Sequence, residues 1–339
     1  MTLLVTGGTG FAMSVVAKAW LDSGPSAKAV ILDRAGLDAA AKKYFASVAD
    51  RLTVIVADIL EPSAWKPRLS GHTITAVVHG ATITPISRGS ATEARREPER
   101  EDPARIVDVN LMGTVRILDW ARQQRELKRF IYVSSGAVYR HHGPDWSGEP
   151  LPEDGYVAPL KLYGISKFAS EMIVNRYRDL FGIPAVSVRL SSVYGTMDRA
   201  TESRNFRHVP NRIAHMALEG ETIRPTNLEA IGDYVHSEDV ARAVIALIEA
   251  PELHYRTYNI GSGMSISIGN FIKFAAEKVP ALRWELSGFE TCNIDQNPGL
   301  STGMWGVYDL ARIIADTGWR PRPVRDAFHG YMDWIEAFE

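Results

Sequence analysis

The sequence predicts an α/β fold in which helices cover both faces of a doubly wound parallel sheet. Short β-rich runs alternate with amphipathic helical patterns over the first half of the chain, as is typical of parallel sheets. The run Ala29-Val30-Ile31-Leu32 is continuously apolar, as expected of a strand that is buried on both faces. The candidate strands are Thr2–Thr6, Lys28–Asp33, Leu52–Ala57, Ala76–Gly80, Phe130–Ser134 and Ala185–Leu190.

The alternation loosens after about residue 190, and we predict a division of the chain there. Helical patterns dominate the second part, with a few short strands such as Arg256–Ile260. We therefore expect residues 1–190 to form a domain built on the sheet and residues 191–339 to form mainly a smaller, helical lobe. Some segments of the second part are expected to return to the sheet domain.

Composition and charge exclude several classes of protein. The 339 residues are 45% apolar and 23% charged, an ordinary globular mixture, and the formal net charge is −2. From this charge we expect no nucleic-acid or anionic-membrane partner. We also expect no membrane span, because no apolar run approaches about eighteen residues, and no signal peptide, because the opening apolar stretch is too short. Cys292 is the single cysteine, which excludes an internal disulfide and fits a cytoplasmic compartment.

The opening stretch MTLLVTGGTGFAMSVVAKAW has the pattern of a dinucleotide-binding loop between a strand and a helix. In such a loop the first glycine makes the tight turn and the second admits the pyrophosphate, functions that suit Gly7 and Gly10. The N-terminus of the following helix offers N–H groups and a positive dipole end to the phosphates. Met13 stands at the third glycine position, which governs helix packing, so we predict a shifted helix rather than loss of cofactor binding.

Acidic residues at the ends of two strands favour NAD over NADP. Asp33 ends the second strand, where a carboxylate accepts hydrogen bonds from a ribose diol and repels a 2′-phosphate. Arg34 weakens this preference because a guanidinium holds phosphate well. Asp58 follows the third strand, and contact with the adenine and a purely structural turn or cap are equally good interpretations of it.

A serine, a tyrosine and a lysine predict proton-transfer chemistry. Ser135 follows the fifth strand, and Tyr163 and Lys167 are four residues apart in a helical pattern, so they share one helix face. A phenol has a pKa of about 10, and we expect the ammonium of Lys167 to lower the pKa of Tyr163. Tyr163 can then exchange a proton with a substrate oxygen that Ser135 hydrogen-bonds, while a nicotinamide carries the hydride.

These motifs together resemble the extended short-chain dehydrogenase/reductase family, in its NAD-dependent epimerase/dehydratase group. The resemblance extends over nearly the whole chain, and it implies a Rossmann-like first domain that binds NAD and a second lobe that binds the substrate. The segments that carry it, besides Ser135, Tyr163 and Lys167, are Thr6–Gly10, His79–Ala81, Asn110 in VNLMGT, Arg189–Gly195, Asp233–His236 and Thr317–Pro321.

The resemblance also implies a role for each residue of the site. Ser135 orients the substrate oxygen, Tyr163 is the acid/base, and Lys167 holds the ribose and tunes Tyr163. His79 and His236 are interpreted as structural, and no metal site is predicted. The residues expected to bind the cofactor are Gly7, Thr9, Gly10, Phe11, Asp33, Arg34, Asp58, Ile59, Gly80, Ala81, Thr82, Asn110, Val133, Tyr163, Lys167, Leu190 and Ser192. Those expected to bind the substrate are Thr84, Ser135, Gly136, Ser191, Asn205 and Arg212.

Two further departures from the family bear on the reaction. Relatives that eliminate water follow the catalytic hydroxyl with an acidic residue, but here Gly136 and Ala137 follow Ser135, so a dehydratase is not expected. Relatives that use nucleotide sugars hold the diphosphate with an asparagine and an arginine, where this chain has Ser192 and Gly232. The nearby arginines, which are interpreted as surface residues or as substitutes for that grip, are Arg199, Arg204, Arg207, Arg212 and Arg224.

Three functions remain open. The favoured one is an NAD-dependent dehydrogenase that acts on a secondary alcohol or ketone of a sugar-like or sugar-acid substrate. A nucleotide-sugar epimerase, for example a 4-epimerase with tightly bound NAD, is the alternative, and a non-catalytic dinucleotide sensor is the least favoured. By resemblance we expect a homodimer that pairs through helices at about Pro103–Gln124 and Leu160–Leu180. The charged stretch Ser87–Asp102 is interpreted as a solvated loop, with a cover over the active site as the alternative.

Overall fold

The computed structural model describes residues 1–85, 98–139, 148–201, 208–294 and 306–338. The strands in these ranges are β1 (Thr2–Thr6), β2 (Lys28–Asp33), β3 (Leu52–Val56), β4 (Ile74–His79), β5 (Arg129–Ser135), β6 (Ala185–Leu190), β7 (Ser192–Tyr194), β8 (Ile231–Gly232), β9 (Tyr234–His236), β10 (Thr257–Ile260) and β11 (Ile266–Ser267). The helices are α1 (Phe11–Asp22), α2 (Ala39–Phe45), α3 (Pro62–Leu69), α4 (Pro98–Glu101), α5 (Pro103–Val107), α6 (Gly113–Ala121), α7 (Leu162–Phe181), α8 (Val209–Leu218), α9 (Ser237–Glu249), α10 (Ile268–Lys278), α11 (Ala311–Thr317) and α12 (Val324–Phe338).

Seven of these strands form one parallel sheet in the order β10-β6-β5-β4-β1-β2-β3. In the register of the sheet Thr6 of β1 lies opposite Leu32 of β2 and His79 of β4, so the carboxyl ends of these strands meet at one edge. The chain builds outward from β1 in one direction and then from β4 in the other. This reversal creates the crevice in which open α/β sheets bind their ligands.

The sheet separates two apolar clusters. Leu3 and Val5 of β1 lie in one cluster with Val16 of α1, and α1 packs against α9 on that face. Leu4, between them in sequence, lies in the other cluster with Leu118 of α6. Such alternation along a strand that is buried on both sides requires helices on both faces of the sheet.

The C-terminal lobe has an aromatic core of its own. Tyr194, Phe271, Phe328 and Tyr331 are fully buried there, and their rings meet edge to face or tilted with centroids 5.1 to 6.2 Å apart. Aromatic pairs with this geometry add to the stabilisation that burial of their area provides.

The predicted fold class is confirmed: a doubly wound parallel sheet is followed by a smaller, mainly helical lobe. Three predicted strands, Thr2–Thr6, Lys28–Asp33 and Ala185–Leu190, have the predicted bounds, and the other predicted strands differ by one or two residues at one or both ends. From the second half of the chain, β10 pairs with β6 at the edge of the sheet.

Two predicted elements need correction. The long helix expected at Pro103–Gln124 is interrupted, because a π-helical turn at Asp108–Met112 joins α5 to α6. The stretch Ser87–Asp102, interpreted as a loop, ends in helical structure: α4 lies within it, and Asp102 caps α5 by accepting from the Arg105 N–H at 2.9 Å. Residues 87–97 lie outside the described part of the chain, so the proposed cover stays a prediction.

None of the helices in the described ranges is long and apolar enough to cross a membrane. Likewise, these ranges hold no group of three or more His, Cys, Asp or Glu side chains with the arrangement that a metal ion requires.

Candidate active site

The glycine loop after β1 is shaped for close approach to its neighbours. Gly7 has a φ of +74°, and a β carbon at this residue would lie 2.9 Å from the Ala81 nitrogen, so glycine is required there. Gly10 caps α1 without a side chain, which leaves the N-terminus of that helix unscreened by a capping group. The Thr9 N–H donates to the Asp33 carboxylate at 3.0 Å, so the loop and the end of β2 are held together.

Met13 is accommodated by a glycine on another segment. Its side chain is buried, and a β carbon on Gly80 would lie 2.5 Å from the Met13 Cγ and Sδ atoms. Gly80 has no positive φ, so this contact, rather than backbone strain, explains the glycine. The thioether therefore fills the space that a side chain at position 80 would take.

The acidic residues at the ends of β2 and β3 are both held in place by hydrogen bonds. Asp33 accepts from the Thr9 and Ala35 N–H groups at 3.0 and 3.2 Å. Asp58 accepts from the Leu60 N–H at 2.9 Å and pairs with the Arg105 guanidinium at 2.5 Å. Burial alone would raise the pKa of Asp58, but these two partners outweigh it and lower that pKa. Arg105 was not predicted, because nothing in the sequence indicates that α5 reaches β3.

Asn110 holds the loop that follows β4. Its side-chain oxygen accepts from the Ile83 N–H at 2.7 Å and the Thr82 hydroxyl at 3.0 Å, and its NH2 group donates to the Ile83 carbonyl and the Ser166 hydroxyl, both at 3.1 Å. The π-helical turn frees the Asn110 carbonyl, which accepts from the Thr114 and Ser170 hydroxyls. These contacts tie the β4 loop to α7.

His79 is a neutral structural residue. The Thr6 hydroxyl accepts from the Gly80 and Ala81 N–H groups, so it donates to His79 Nδ1 at 2.6 Å, and His79 Nε2 donates to the Thr114 hydroxyl at 3.0 Å. Burial, reinforced by the charge of Lys167, lowers the pKa of His79 to about 3. An imidazole that stays neutral at physiological pH supports the structural interpretation of this histidine.

Ser135 and Tyr163 are brought together at the carboxyl ends of the strands. Ser135 is the last residue of β5, and Tyr163 lies in the first turn of α7, so their hydroxyls lie beside each other. Gly164 permits the approach, because a β carbon there would lie 2.9 Å from Pro159 and would also collide with the Ala137 carbonyl. Serine and tyrosine hydroxyls therefore face one common point.

Lys167 lies one helical turn below Tyr163. Its Nζ donates to the Val133 carbonyl at 2.7 Å and lies 5.7 Å from the centroid of the Tyr163 ring. Burial lowers the pKa of Lys167 to about 7, against the opposing effect of Glu171.

The expected lowering of the Tyr163 pKa is wrong for this arrangement. Burial raises the pKa of Tyr163, and the neighbouring Ser135 hydroxyl only partly offsets that effect. The physical reason is the position of Lys167, whose ammonium is directed at the Val133 carbonyl and not at the phenol oxygen.

A buried ion pair that was not predicted from the sequence holds α7 in place. Arg189 of β6 forms a two-point contact with Glu171 of α7, with its Nη2 at 2.7 Å, and donates to the Glu153 carbonyl at 2.8 Å. The Ser134 hydroxyl donates to the same Glu171 carboxylate at 2.5 Å. Because all donors and acceptors of the pair are satisfied, its burial is tolerated, and it fixes α7 against β5 and β6.

The side of the site predicted to bind the substrate is formed by segments that follow β6. The Ser191 and Ser192 N–H groups donate to the Ile260 and Asp233 carbonyls, and the buried Ser191 hydroxyl has no hydrogen-bond partner among the described residues. Tyr308 reaches this region and donates to the Leu190 carbonyl at 3.4 Å. Tyr308 was not predicted, since it lies far from every motif.

The arginines proposed as a diphosphate grip lie in different places. Arg199 contacts the cofactor loop, with its guanidinium 2.9 Å from Asp38 and 3.2 Å from the Thr9 carbonyl. Arg224 is half-buried and pairs with Glu285 at 2.9 Å, and Arg212 is partly buried on α8. Asn205, Arg204 and Arg207 lie outside the described residues.

The remaining predicted residues lie at the carboxyl edge of the sheet or just beyond it. Phe11 opens α1, and Gly136 begins the turn after β5. The others follow or end strands: Arg34 after β2, Ile59 after β3, Thr84 after β4, Val133 in β5 and Leu190 at the end of β6.

A known protein family matches most of this chain. The NAD dependent epimerase/dehydratase family matches residues 3–261 of the chain. The chain belongs to this family. A UDP-glucose 4-epimerase of Corynebacterium glutamicum is 25% identical over 82% of this chain and 80% of its own length. A dTDP-glucose 4,6-dehydratase of Shigella flexneri is 24% identical over 99% of this chain and 95% of its own.

Solved structures of the family share the fold. The UDP-glucose 4-epimerase of Thermotoga maritima with UDP-glucose has a TM-score of 0.78 and 20% identity, covering 99% of each chain. The UDP-glucuronic acid 4-epimerase of Bacillus cereus with UDP-glucuronic acid and NAD has a TM-score of 0.77 and 22% identity, covering 100% of each chain. At these identities the likeness establishes the fold, while the reaction has to be argued from the site of this chain.

Two positions at which this chain differs from the residue expected in the family can be explained by neighbouring residues. The Met13 side chain has room because Gly80 carries no side chain. Gly232 is buried in β8, and a β carbon on it would lie 3.0 Å from the Tyr234 ring, so this position presents a backbone and an aromatic ring rather than a guanidinium.

Proposed function

We propose that this family member is an oxidoreductase that transfers hydride between NAD and a secondary alcohol or ketone of a sugar-like or sugar-acid substrate. One observation carries the proposal. The Ser135 and Tyr163 hydroxyls lie beside each other at the carboxyl edge of the sheet, with the ammonium of Lys167 buried one helical turn below. This edge is also where the glycine loop and the unscreened N-terminus of α1 lie.

The residues at the switch point fit a dinucleotide. A loop in which Gly7 tolerates no β carbon brings the backbone to the pyrophosphate, and the N-terminus of α1 supplies the favourable end of the helix dipole. The Asp33 carboxylate would accept from the ribose hydroxyls and repel the 2′-phosphate of NADP. We therefore assign cofactor binding to residues 1–190 and substrate binding mainly to residues 191–339.

The proton chemistry belongs to the serine and the tyrosine. Ser135 would donate to the substrate oxygen and hold it beside the phenol, and Tyr163 would take the hydroxyl proton during oxidation and return it during reduction. The nicotinamide, when bound, supplies or accepts the hydride. Lys167, whose pKa burial lowers to about 7, is held by the Val133 carbonyl one helical turn below Tyr163, where it would hold the cofactor ribose.

The site favours a substrate without a nucleotide diphosphate. Gly232 provides no cationic side chain, and Arg199 and Arg224 are engaged with Asp38 and Glu285. Elimination of water needs an additional acid and base. The two residues after Ser135 supply neither, so we propose oxidation and reduction without dehydration.

A nucleotide-sugar 4-epimerase is the second candidate. The observation in its favour is the match of UDP-sugar 4-epimerases along 99% to 100% of the chain. Its half-reaction would be the same at Ser135 and Tyr163, followed by return of the hydride to the other face of the ketone. The two candidates differ in whether the reduced cofactor leaves the protein.

Replacement of Tyr163 tests the proposal. The protein with NAD is mixed with a panel of sugars, sugar acids and UDP-hexoses, and nicotinamide reduction is followed by absorbance at 340 nm. We expect reduction with at least one class of substrate, and Tyr163→Phe should slow it by about 10²- to 10⁴-fold because the acid/base is lost. Tyr156→Phe is the matched control, since Tyr156 is 73% exposed, and it should keep the wild-type rate.

An unchanged rate in Tyr163→Phe would exclude the proposed chemistry. A protein that binds NAD, reduces it with no member of the panel and interconverts none of the UDP-hexoses would instead favour the sensor, which needs no acid/base. Release of NADH into solution distinguishes the dehydrogenase from the epimerase, which retains its cofactor through the cycle.

We also propose that the chain forms a homodimer through α7 and the α5–α6 helix. Ile165 and Met172 lie seven residues apart on α7 and are 45% and 57% exposed, and Met112 beside α6 is 41% exposed. Light scattering should give twice the chain mass of 37.5 kDa. Met172→Glu should shift the protein toward monomer, and Met264→Glu, at a site that is 51% exposed elsewhere, should leave a dimer. A monomeric wild-type protein would exclude this proposal.

A further inference from the structure

Gly136 is a glycine whose backbone does not need one. It begins the short turn after Ser135, is buried, and does not have a positive φ. The position that its β carbon would take coincides with the phenol hydroxyl of Tyr308. Space for Tyr308 is therefore the physical reason for the missing side chain beside the catalytic serine.

Hydrogen bonds hold the segment that carries Tyr308 in place. Its N–H donates to the buried Asp233 carboxylate at 3.1 Å, and the flanking residues hydrogen-bond Leu151 at 2.7 and 3.0 Å. The ring packs edge to face against Tyr139, with centroids 5.6 Å apart. The phenol is thus positioned from both its backbone and its ring.

The hydroxyl of Tyr308 is a buried donor with a poor partner. Its contact with the Leu190 carbonyl is 3.4 Å, whereas hydroxyl donors usually lie at about 2.7 to 2.8 Å from their acceptors. Burial raises the pKa of Tyr308 well above its ordinary value, and the neighbouring Tyr139, Asp233 and Tyr163 raise it further against the effect of Arg189. The hydroxyl therefore stays protonated and is free to make a better hydrogen bond, which buried polar groups normally do.

We propose that Tyr308 is a specificity-determining residue, whose phenol replaces the side chain missing at Gly136 and donates to a substrate oxygen beside the carbinol that Tyr163 deprotonates. The inference rests on the proposed function. It narrows the substrate class to polyols with an oxygen next to the reacting carbon. It also places a neutral hydroxyl, rather than a carboxyl, one residue after Ser135.

Tyr308→Phe tests the inference, because it removes the hydroxyl and keeps the ring. For the best substrate of the 340 nm assay, each hydroxyl is replaced in turn by hydrogen in a set of deoxy analogues. The wild-type protein should lose about tenfold in kcat/KM with one analogue, as expected for a hydrogen bond of ordinary strength. Tyr308→Phe should raise KM for the full substrate by a similar factor, keep kcat within about threefold, and not discriminate against that analogue.

Tyr139→Phe is the matched control for a purely structural effect. The Tyr139 hydroxyl is already satisfied by Asn259 at 2.7 Å, so its loss should lower stability and leave discrimination between the analogues unchanged. Gly136→Ala is a second variant, in which the new methyl displaces the Tyr308 phenol. It should lose the same discrimination.

The outcomes separate this inference from the proposed function. If the wild-type protein reduces nicotinamide but Tyr308→Phe discriminates among the analogues as the wild type does, the inference is overturned and the proposed function stands. Retained discrimination in Gly136→Ala would overturn it as well. If no substrate reduces the nicotinamide in the wild-type protein, the proposed function and the inference fall together.

Discussion

The cofactor side of the site and the opposite side each contain a residue that is larger or smaller than expected. In each case a residue distant in sequence leaves or fills the corresponding space. On the cofactor side Met13 stands where a glycine is expected, and Gly80 on the β4 loop makes room for it. On the side proposed to bind the substrate, Gly136 leaves room beside Ser135, and Tyr308 fills that room.

The consequences differ between the two sides. On the cofactor side the large side chain is at position 13 and the missing one at position 80, and both changes concern apolar packing only. The glycine loop and its approach to Ala81 are therefore preserved. On the other side the space left by Gly136 is filled by the Tyr308 hydroxyl, which is a polar group. We propose that this hydroxyl changes which hydrogen bonds the site offers to a substrate. A departure from a family pattern therefore has to be interpreted together with its spatial partner.

Met13→Ala should have the larger effect on the cofactor side. The side chain is buried in the apolar cluster around α1, and truncation would leave a cavity below the loop. We expect the free energy of unfolding to fall by about 2 to 5 kcal/mol, as measured for buried methionines in other cores. Urea unfolding measures this change, and a loss below about 0.5 kcal/mol, typical of surface positions, would contradict the packing role.

Gly80→Ala should have the smaller effect, because the added methyl meets the flexible Met13 side chain at 2.5 Å, while the nearest backbone atom, the Thr6 carbonyl oxygen, lies at 3.3 Å. We expect a loss of about 1 to 3 kcal/mol from overpacking. In the double variant the methyl at position 80 partly fills the space that Met13→Ala opens, so the two losses should not add. Additive losses would show that the two residues do not share one volume.

The sequence predicts most of the fold because its cues are local. Continuous apolar runs define the strands, as in Ala29-Val30-Ile31-Leu32, and strands that alternate with helices leave few alternatives to a parallel sheet. The break at Asp108–Met112 was missed because a π-helical turn keeps an ordinary helical pattern and depends on the tertiary contacts of Asn110.

Only part of the candidate site could be predicted from the sequence. Tyr163 and Lys167 are recognisable because helical spacing puts them on one face. The contact of Gly80 with Met13 and the roles of Tyr308 and Glu171 are not recognisable, since each depends on contact between segments distant in sequence. The direction of the Tyr163 pKa was predicted wrongly for the same reason, because it depends on burial and on where the Lys167 ammonium points.

The central claim is that the glycine loop with Met13 still binds NAD beside the serine, tyrosine and lysine. The most direct measurement is the nicotinamide dinucleotide released when the purified protein is denatured, followed by titration of any empty protein with NAD and NADP. We predict one NAD per chain, carried through purification or taken up on titration, with NADP bound about tenfold or more weakly because Asp33 repels its phosphate. Retained NAD would favour the epimerase, and reversible uptake the dehydrogenase. A protein that binds neither dinucleotide would contradict the account.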